Sequence, residues 1–176
     1  MTDYSGGLLF LVGPSGVGKT TVGRALARRL AVDFFDSDHE IEARCGCAIS
    51  LIFEVEGESG FRVRETQVLR ELCLRSSGIC STGGGIVLAE QNRQLMRAHG
   101  TVVYLHAPPA VLHARTRGDK TRPLLQTVDP RAAIEAMYAK RDALYRDVAD
   151  LVVEASTPGA ALAADEIVRR LRPAEP

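Results

Sequence analysis

Five apolar residues, Leu8-Leu9-Phe10-Leu11-Val12, run without a break into Gly13-Pro14-Ser15-Gly16-Val17-Gly18-Lys19-Thr20, and a helical pattern opens directly behind them. The apolar run reads as a buried strand, and the eight residues after it fit GxxxxGK(S/T). Gly16 and Gly18 can take backbone angles closed to other residues, so successive amide N–H groups turn inward and the helix N-terminus adds partial positive charge. The product is a phosphate cradle formed by residues 13–20, with Thr21 opening the helix behind it. Lys19 then reaches the β- and γ-phosphates, and the Thr20 hydroxyl serves as a ligand for Mg²⁺. A glycine-rich turn can meet such a pattern by chance. The strand before it, and Val22, Leu26 and Leu30 at helical spacing after it, argue for nucleoside triphosphate binding.

At 176 residues the chain suits one domain, 1–176, and no second domain is needed. Lys plus Arg equal Asp plus Glu at 22 each, so no global basic field points to nucleic acid or a membrane surface. A small anion is the expected partner. Met1 to Gly7 has no basic region and the apolar run that follows is too short for a signal peptide, while no segment is long enough to span a bilayer. Cys45, Cys47, Cys73 and Cys80 include no CxxC pair and one CxC, which supports reduced thiols in the cytoplasm over a zinc site.

Short β-type runs at Leu8 to Val12, Phe34 to Asp36, Gly78 to Thr82, Thr101 to His106 and Asp150 to Val153 alternate with helical stretches. That alternation predicts an α/β fold with a parallel sheet and helices on both faces. Asp129-Pro130 and Thr157-Pro158 each place an N-cap side chain before a proline at the first helical position, and Pro108-Pro109 is a similar stop and start. Between Arg117 and Asp129 lies RGDKTRPLLQTVD, polar and without periodicity, which reads as a mobile loop or lid.

Phe34-Phe35-Asp36-Ser37-Asp38 places two carboxylates at the C-terminal end of the second strand, the edge where ligands sit in open α/β sheets. If strand geometry persists, Asp36 and Asp38 share a face. One can orient Mg²⁺ through its waters and the other can accept a proton from a substrate hydroxyl. The plainer alternative is that Asp38 caps a helix beginning at His39. Gly83-Gly84-Gly85, after the third strand, lets backbone N–H groups approach a ligand closely, or simply makes a tight turn.

Together these pieces resemble the shikimate kinase family, within the nucleoside monophosphate kinase group of P-loop folds. The family's FxDxDxxIE is matched by Phe34-Phe35-Asp36-Ser37-Asp38-His39-Glu40-Ile41-Glu42, shifted in which Phe aligns, and its GExxFRxxE by Gly57-Glu58-Ser59-Gly60-Phe61-Arg62-Val63-Arg64-Glu65. Thr82-Gly83-Gly84-Gly85 matches the glycine triplet, Arg122-Pro123-Leu124-Leu125 the lid motif RPLL, and Arg141-Asp142-Ala143-Leu144-Tyr145 the RxxLY-type segment. Ala143 stands where many members carry a proline, and the lid is unusually charged, with Arg117, Asp119 and Lys120.

The resemblance implies a three-layer α/β/α fold with a five-stranded parallel sheet in the order 2-3-1-4-5 and a lid over about 117–129. It also implies transfer of the ATP γ-phosphoryl group to the 3-hydroxyl of shikimate, a step of aromatic amino-acid biosynthesis, with Mg²⁺ as cofactor. In that reading Asp38 holds the substrate hydroxyls and serves as base, while Asp36 holds Mg²⁺ through water beside Thr20. Arg62 and Arg141 grip the shikimate carboxylate, because planar guanidinium groups suit a carboxylate. The backbone of Gly83, Gly84 and Gly85 borders the ring, and Phe53 and Phe61 resemble walls of the pocket. Lys19 and Arg122 supply fixed positive charge to the phosphoryl group in flight. Arg115 and Pro158 look like the family's pair flanking adenine. A cytoplasmic monomer is expected, with ATP and shikimate as partners and neither nucleic acid nor membrane.

By spacing alone, Arg62 pairs with Glu65 one turn on, Arg141 is a solvated helical charge, and both phenylalanines suit a core. Three other functions compete. Another small-molecule kinase, acting on gluconate or a nucleoside monophosphate, shares the P-loop and lid but should lack the DxD, FRxxE and GGG set. A regulatory GTPase needs an NKxD-type motif, which Ala139-Lys140-Arg141-Asp142 does not supply. A catalytically silent nucleotide-binding paralogue would have lost catalytic residues, and none is missing.

Overall fold

The computed structural model describes residues 6–117, 125, 127–156 and 159–171. Its elements in chain order are β1 (Leu8–Val12), α1 (Lys19–Leu30), β2 (Phe34–Asp36), α2 (Ser37–Cys45), α3 (Ile49–Leu72), β3 (Gly78–Ser81), a 3₁₀ turn (Ile86–Leu88), α4 (Glu90–His99), β4 (Gly100–His106), α5 (Pro109–Thr116), α6 (Pro130–Val148), β5 (Leu151–Glu154) and α7 (Ala160–Leu171). All strand pairings are parallel, and the order is β2-β3-β1-β4-β5, as the resemblance implied. The five predicted strands agree with these to within one residue at each end.

β1 is the central strand, flanked by β3 and β4, and all five of its residues are buried. Each such aliphatic or aromatic side chain contributes roughly 1.5–3 kcal/mol by leaving water. The two-residue period of a strand divides them between two cores. Leu9 and Leu11 pack with Val22, Leu26 and Leu30 of α1 and with Ile167 of α7. Leu8, Phe10 and Val12 face the opposite layer, with Leu69 of α3, Met96 of α4 and Tyr145 of α6. From β1 the chain winds first toward β2 and β3 and later toward β4 and β5. The loop after β1 therefore opens at the point where the winding reverses, the crevice in which such sheets bind ligands.

Local chemistry sets the helix starts. The Asp129 side chain accepts from Ala132 N at 3.0 Å and Pro130 follows at the first helical position. Pro109 likewise opens α5. The start predicted at Thr157-Pro158 lies outside the described residues, as do Arg122 and most of the predicted lid. α3 is broken at Gly57, whose φ of 70° and ψ of −179° leave the helical region. A side chain there would be strained, and the break separates the helical stretch carrying Phe53 from the one carrying Arg62. Among the described residues no helix is long and apolar enough to cross a membrane, and all four cysteines are free.

Candidate active site

The loop after β1 curls into the N-terminus of α1. Gly16 sits at φ 85°, and a β-carbon there would stand 2.4 Å from Thr116 Cγ2, so no other residue fits the turn. Lys19 is buried, and its ammonium donates to the carbonyls of Gly13 at 2.7 Å and Pro14 at 2.9 Å. These bonds hold the lysine across the mouth of its own loop. A cavity of about 490 Å³ opens there, lined by Ser15, Gly18, Lys19, Thr20, Thr21 and Asp36 among others.

The two aspartates differ from the sequence reading. The strand does not persist to Asp38, because Asp36 is the N-cap of α2: its Oδ1 accepts from Asp38 N at 3.1 Å and His39 N at 3.4 Å. Asp38 is therefore not a cap, and α2 begins at Ser37. The other Asp36 oxygen, Oδ2, accepts from the Thr20 hydroxyl at 2.7 Å, with Ser81 Oγ 3.4 Å from the same hydroxyl. Three hard oxygen donors thus meet at the edge of the phosphate cavity, a donor set suited to Mg²⁺. Asp38, the second residue of the helix, makes none of these contacts. Its Oδ1 is buried without a hydrogen-bond partner among the described residues. Burial pushes this carboxyl up to about 6, with Asp36 adding to the rise and Lys19 and Arg62 opposing it. A carboxylate with that proton affinity is matched to base work near neutrality.

A second cavity, of about 410 Å³, adjoins the first, and Ser15, Asp38, Glu42 and Gly84 line both. Arg62 and Arg141 line it from α3 and α6. The pairing of Arg62 with Glu65 is present, at 2.8 Å, and Glu58 is paired at 2.9 Å. Those pairs brace the guanidinium in the cavity wall and do not carry it into solvent. Arg141 is 7% exposed, so it is not a solvated charge, and its Nε has no hydrogen-bond partner among the described residues. Phe53 and Phe61 meet with centroids 4.8 Å apart on the cavity wall, and the Arg62 guanidinium lies 5.2 Å from the Phe61 ring centre. Phe61 also belongs to the core, so both roles read from the sequence apply to it.

The glycine triplet owes its composition to space. A β-carbon on Gly85 would lie 2.2 Å from an Arg62 nitrogen, and one on Gly83 would collide with Asp38 and Glu65. Gly83 N donates to Ser37 Oγ at 3.0 Å, and Ile86 N returns to Gly83 O at 3.1 Å, so the segment is also a tight turn. The Tyr145 hydroxyl donates to the Gly84 carbonyl.

Glu65 carries more than spacing suggested. It is fully buried, its Oε1 has no partner among the described residues, and burial pushes it up to about 7 against the pull of Arg62, with Asp38 adding to the rise. Its place in GExxFRxxE was the available signal. Ser15, Glu42, Leu125 and Met137 also line the acceptor cavity without having been singled out for it. Arg115 does not line that cavity but lines the phosphate cavity beside it. It donates to the carbonyls of Val17 at 3.3 Å and Ser156 at 3.0 Å, and lines a third cavity of about 230 Å³ between the loop and α7, beside Gly159. Pro158 and Arg122 lie outside the described residues.

Known proteins resemble this chain in sequence and in fold. The family model described as Shikimate kinase matches residues 15–172. A shikimate kinase of Cupriavidus pinatubonensis is 55% identical over 163 residues, covering 93% of this chain and 85% of that protein. One of Burkholderia lata is 58% identical over 150 residues, covering 85% and 82%. Among solved structures, a shikimate kinase from Acinetobacter baumannii in complex with shikimate superposes with a TM-score of 0.92 at 45% identity, over 94% of this chain and 92% of that one. With the sheet order, the phosphate loop and the paired-arginine cavity in the same chain, these likenesses make the protein a member of the shikimate kinase family.

Proposed function

We infer that this chain transfers the γ-phosphoryl group of ATP to the 3-hydroxyl of shikimate, giving ADP and shikimate 3-phosphate. The observation that carries the reading is the position of Asp38, which lines the phosphate cavity and the acceptor cavity at once. Nucleophile and phosphoryl donor must meet in line, and a base at the junction can take the hydroxyl proton as the new bond forms.

In this assignment residues 13–21 cradle the phosphates and Arg115 and Pro158 flank adenine. Arg62 and Arg141 fork onto the shikimate carboxylate, which anchors the ring against Phe53, Phe61 and the Gly83 to Gly85 backbone. Lys19 exchanges its loop carbonyls for phosphate oxygens, supplying charge where the transition state needs it. Arg122, assigned from its lid motif, supplies charge as well. Thr20 directly, and Asp36 through water, would hold Mg²⁺. That ion, when bound, neutralises charge on the β- and γ-phosphates.

The test is ADP release measured across shikimate, quinate, gluconate and AMP. Shikimate is expected to outpace the other three. Equal or faster turnover of gluconate or AMP refutes the assignment.

A further inference from the structure

α6 carries Met137 and Arg141 along the acceptor cavity, and polar anchors bracket them on the same helix. Tyr138 OH lies 2.8 Å from His106 Nε2, Asp142 Oδ1 accepts from Tyr104 OH at 2.7 Å, and Tyr145 OH donates to the Gly84 carbonyl. Positions 138, 142 and 145 recur at helical spacing, so these anchors share one face. Two of their partners, Tyr104 and His106, are alternate residues of β4, so that end of the strand grips the helix twice.

His106 is itself held from the far side. Its partner across the β4–β5 register is Glu154, whose carboxylate pairs with His106 Nδ1 and also accepts from Ser156 Oγ at 3.0 Å. The tautomer that satisfies both contacts has Nδ1–H donating to that carboxylate and Nε2 accepting from the Tyr138 hydroxyl. The imidazole is 13% exposed and lines none of the three cavities. Its chemistry is therefore spent on α6. Arg141 needs such support, because its buried Nε has no partner among the described residues and the course of the helix decides where its guanidinium lies.

We propose that His106, oriented by Glu154, is a positioning residue for the acceptor: through Tyr138 it fixes α6 so that Arg141 stands in the cavity before substrate arrives. The proposal rests on the reading of Arg141 as a carboxylate-binding residue. Preorganisation of this kind acts on binding and leaves the chemical step alone.

Steady-state kinetics on His106→Leu, His106→Gln, Tyr138→Phe, Arg141→Lys and the Tyr138→Phe/Arg141→Lys pair test it. Tyr138→Phe removes one hydroxyl and keeps the ring, so the fold survives. Both His106→Leu and Tyr138→Phe are expected to raise the shikimate KM by about fivefold, with kcat and the ATP KM changing by less than about twofold. His106→Gln, whose amide oxygen reaches the Nε2 position, should restore most of the loss. On the Arg141→Lys background Tyr138→Phe should add little, because the two residues act through one contact. An ordinary shikimate KM in Tyr138→Phe, beside a raised one in Arg141→Lys, overturns the positioning role alone. A Tyr138→Phe effect that multiplies fully onto Arg141→Lys overturns it as well. An unchanged KM in Arg141→Lys removes the carboxylate reading, and the proposal falls with it.

Discussion

Asp38 and Glu65 turn buried carboxylate oxygens toward the same glycine: a β-carbon on Gly83 would stand 2.8 Å from Asp38 Oδ1 and 2.7 Å from Glu65 Oε1. Neither oxygen has a hydrogen-bond partner among the described residues, and burial pushes the two carboxyls up to about 6 and about 7. Each negative charge also disfavours the other, so the pair is a store of unfavourable desolvation in the wall of one cavity.

The first prediction is a pH dependence. Both carboxyls bind protons more tightly folded than unfolded, so the stability they contribute is present below the unfolded value near 4 and is lost as pH rises through about 6 to 7. Activity should move the opposite way, with kcat/KM rising through pH of about 6 as Asp38 ionises. Asp38→Asn should be nearly inactive, yet more stable than the parent at pH of about 7.5, by on the order of 2 kcal/mol. Melting curves from pH of about 4 to 8 for both proteins decide it. The same slope in parent and variant would contradict the assignment of the shift to Asp38.

Gly85→Ala should damage acceptor binding with little effect on the fold. The new β-carbon meets the guanidinium head of Arg62, its Cζ at 2.4 Å as well as both outer nitrogens, and that far end of a flexible side chain must swing away and lose its place in the cavity. Shikimate KM is expected to rise at least about tenfold, since one guanidinium fork is lost, while the melting temperature hardly changes. Gly100→Ala is the contrast, for its β-carbon would lie 2.2 Å from the Leu8 carbonyl oxygen in the central strand pair. There the backbone must move, and the melting temperature should fall with the shikimate KM unchanged in the remaining folded enzyme.

Asp36 holds two positions at once, the cap of α2 and the partner of Thr20. Asparagine caps as well as aspartate, so Asp36→Asn should keep the fold and raise the Mg²⁺ concentration needed for half-maximal rate. Asp36→Ala should show that defect and also lose about 1 kcal/mol of stability with the cap. Parallel Mg²⁺ titrations and denaturant melts of the two variants separate these effects. A Mg²⁺ requirement unchanged in both would exclude Asp36 from the metal site.

Lys19→Ala should lower kcat by about a hundredfold or more, the range for removing one preorganised charge from a transition state. The protein should still fold. Its two bonds to loop carbonyls are lost, at about 1 kcal/mol each, so a small drop in melting temperature should accompany the kinetic defect. Stopped-flow or coupled turnover beside a thermal melt measures both. Near-normal turnover would take Lys19 out of the site.

Much of the frame was legible beforehand. β1, the phosphate loop and the start of α6 at Asp129-Pro130 follow from residues adjacent in the chain, and the structure keeps them. Misreadings arose where one local signal masked another. Alternation placed Asp36 and Asp38 on one strand face, but the Asp36 carboxylate caps the next amides and turns the chain into a helix, so that both still line the phosphate cavity while Asp38 alone also reaches the second. The glycine triplet was read through what its amides can reach. It does line the cavity, and a further constraint, invisible in the sequence, is the Arg62 guanidinium and the two carboxylates packed against it, from segments about twenty and forty-five residues away.

The sequence by itself determined the order of strands and helices, the phosphate loop and the residue types available at the sheet's C-terminal edge. Backbone angles, caps and hydrophobic periods act over a few residues, so they can be read from a few residues. Tertiary structure decided which of those residues lose their water and which charges they then face. Asp38, Glu65, Gly83 and Arg141 come from α2, α3, the loop after β3 and α6, and only packing brings them to one cavity. Desolvation and the fields of neighbouring charges belong to that assembled space, and they push an ordinary aspartate carboxyl up to about 6.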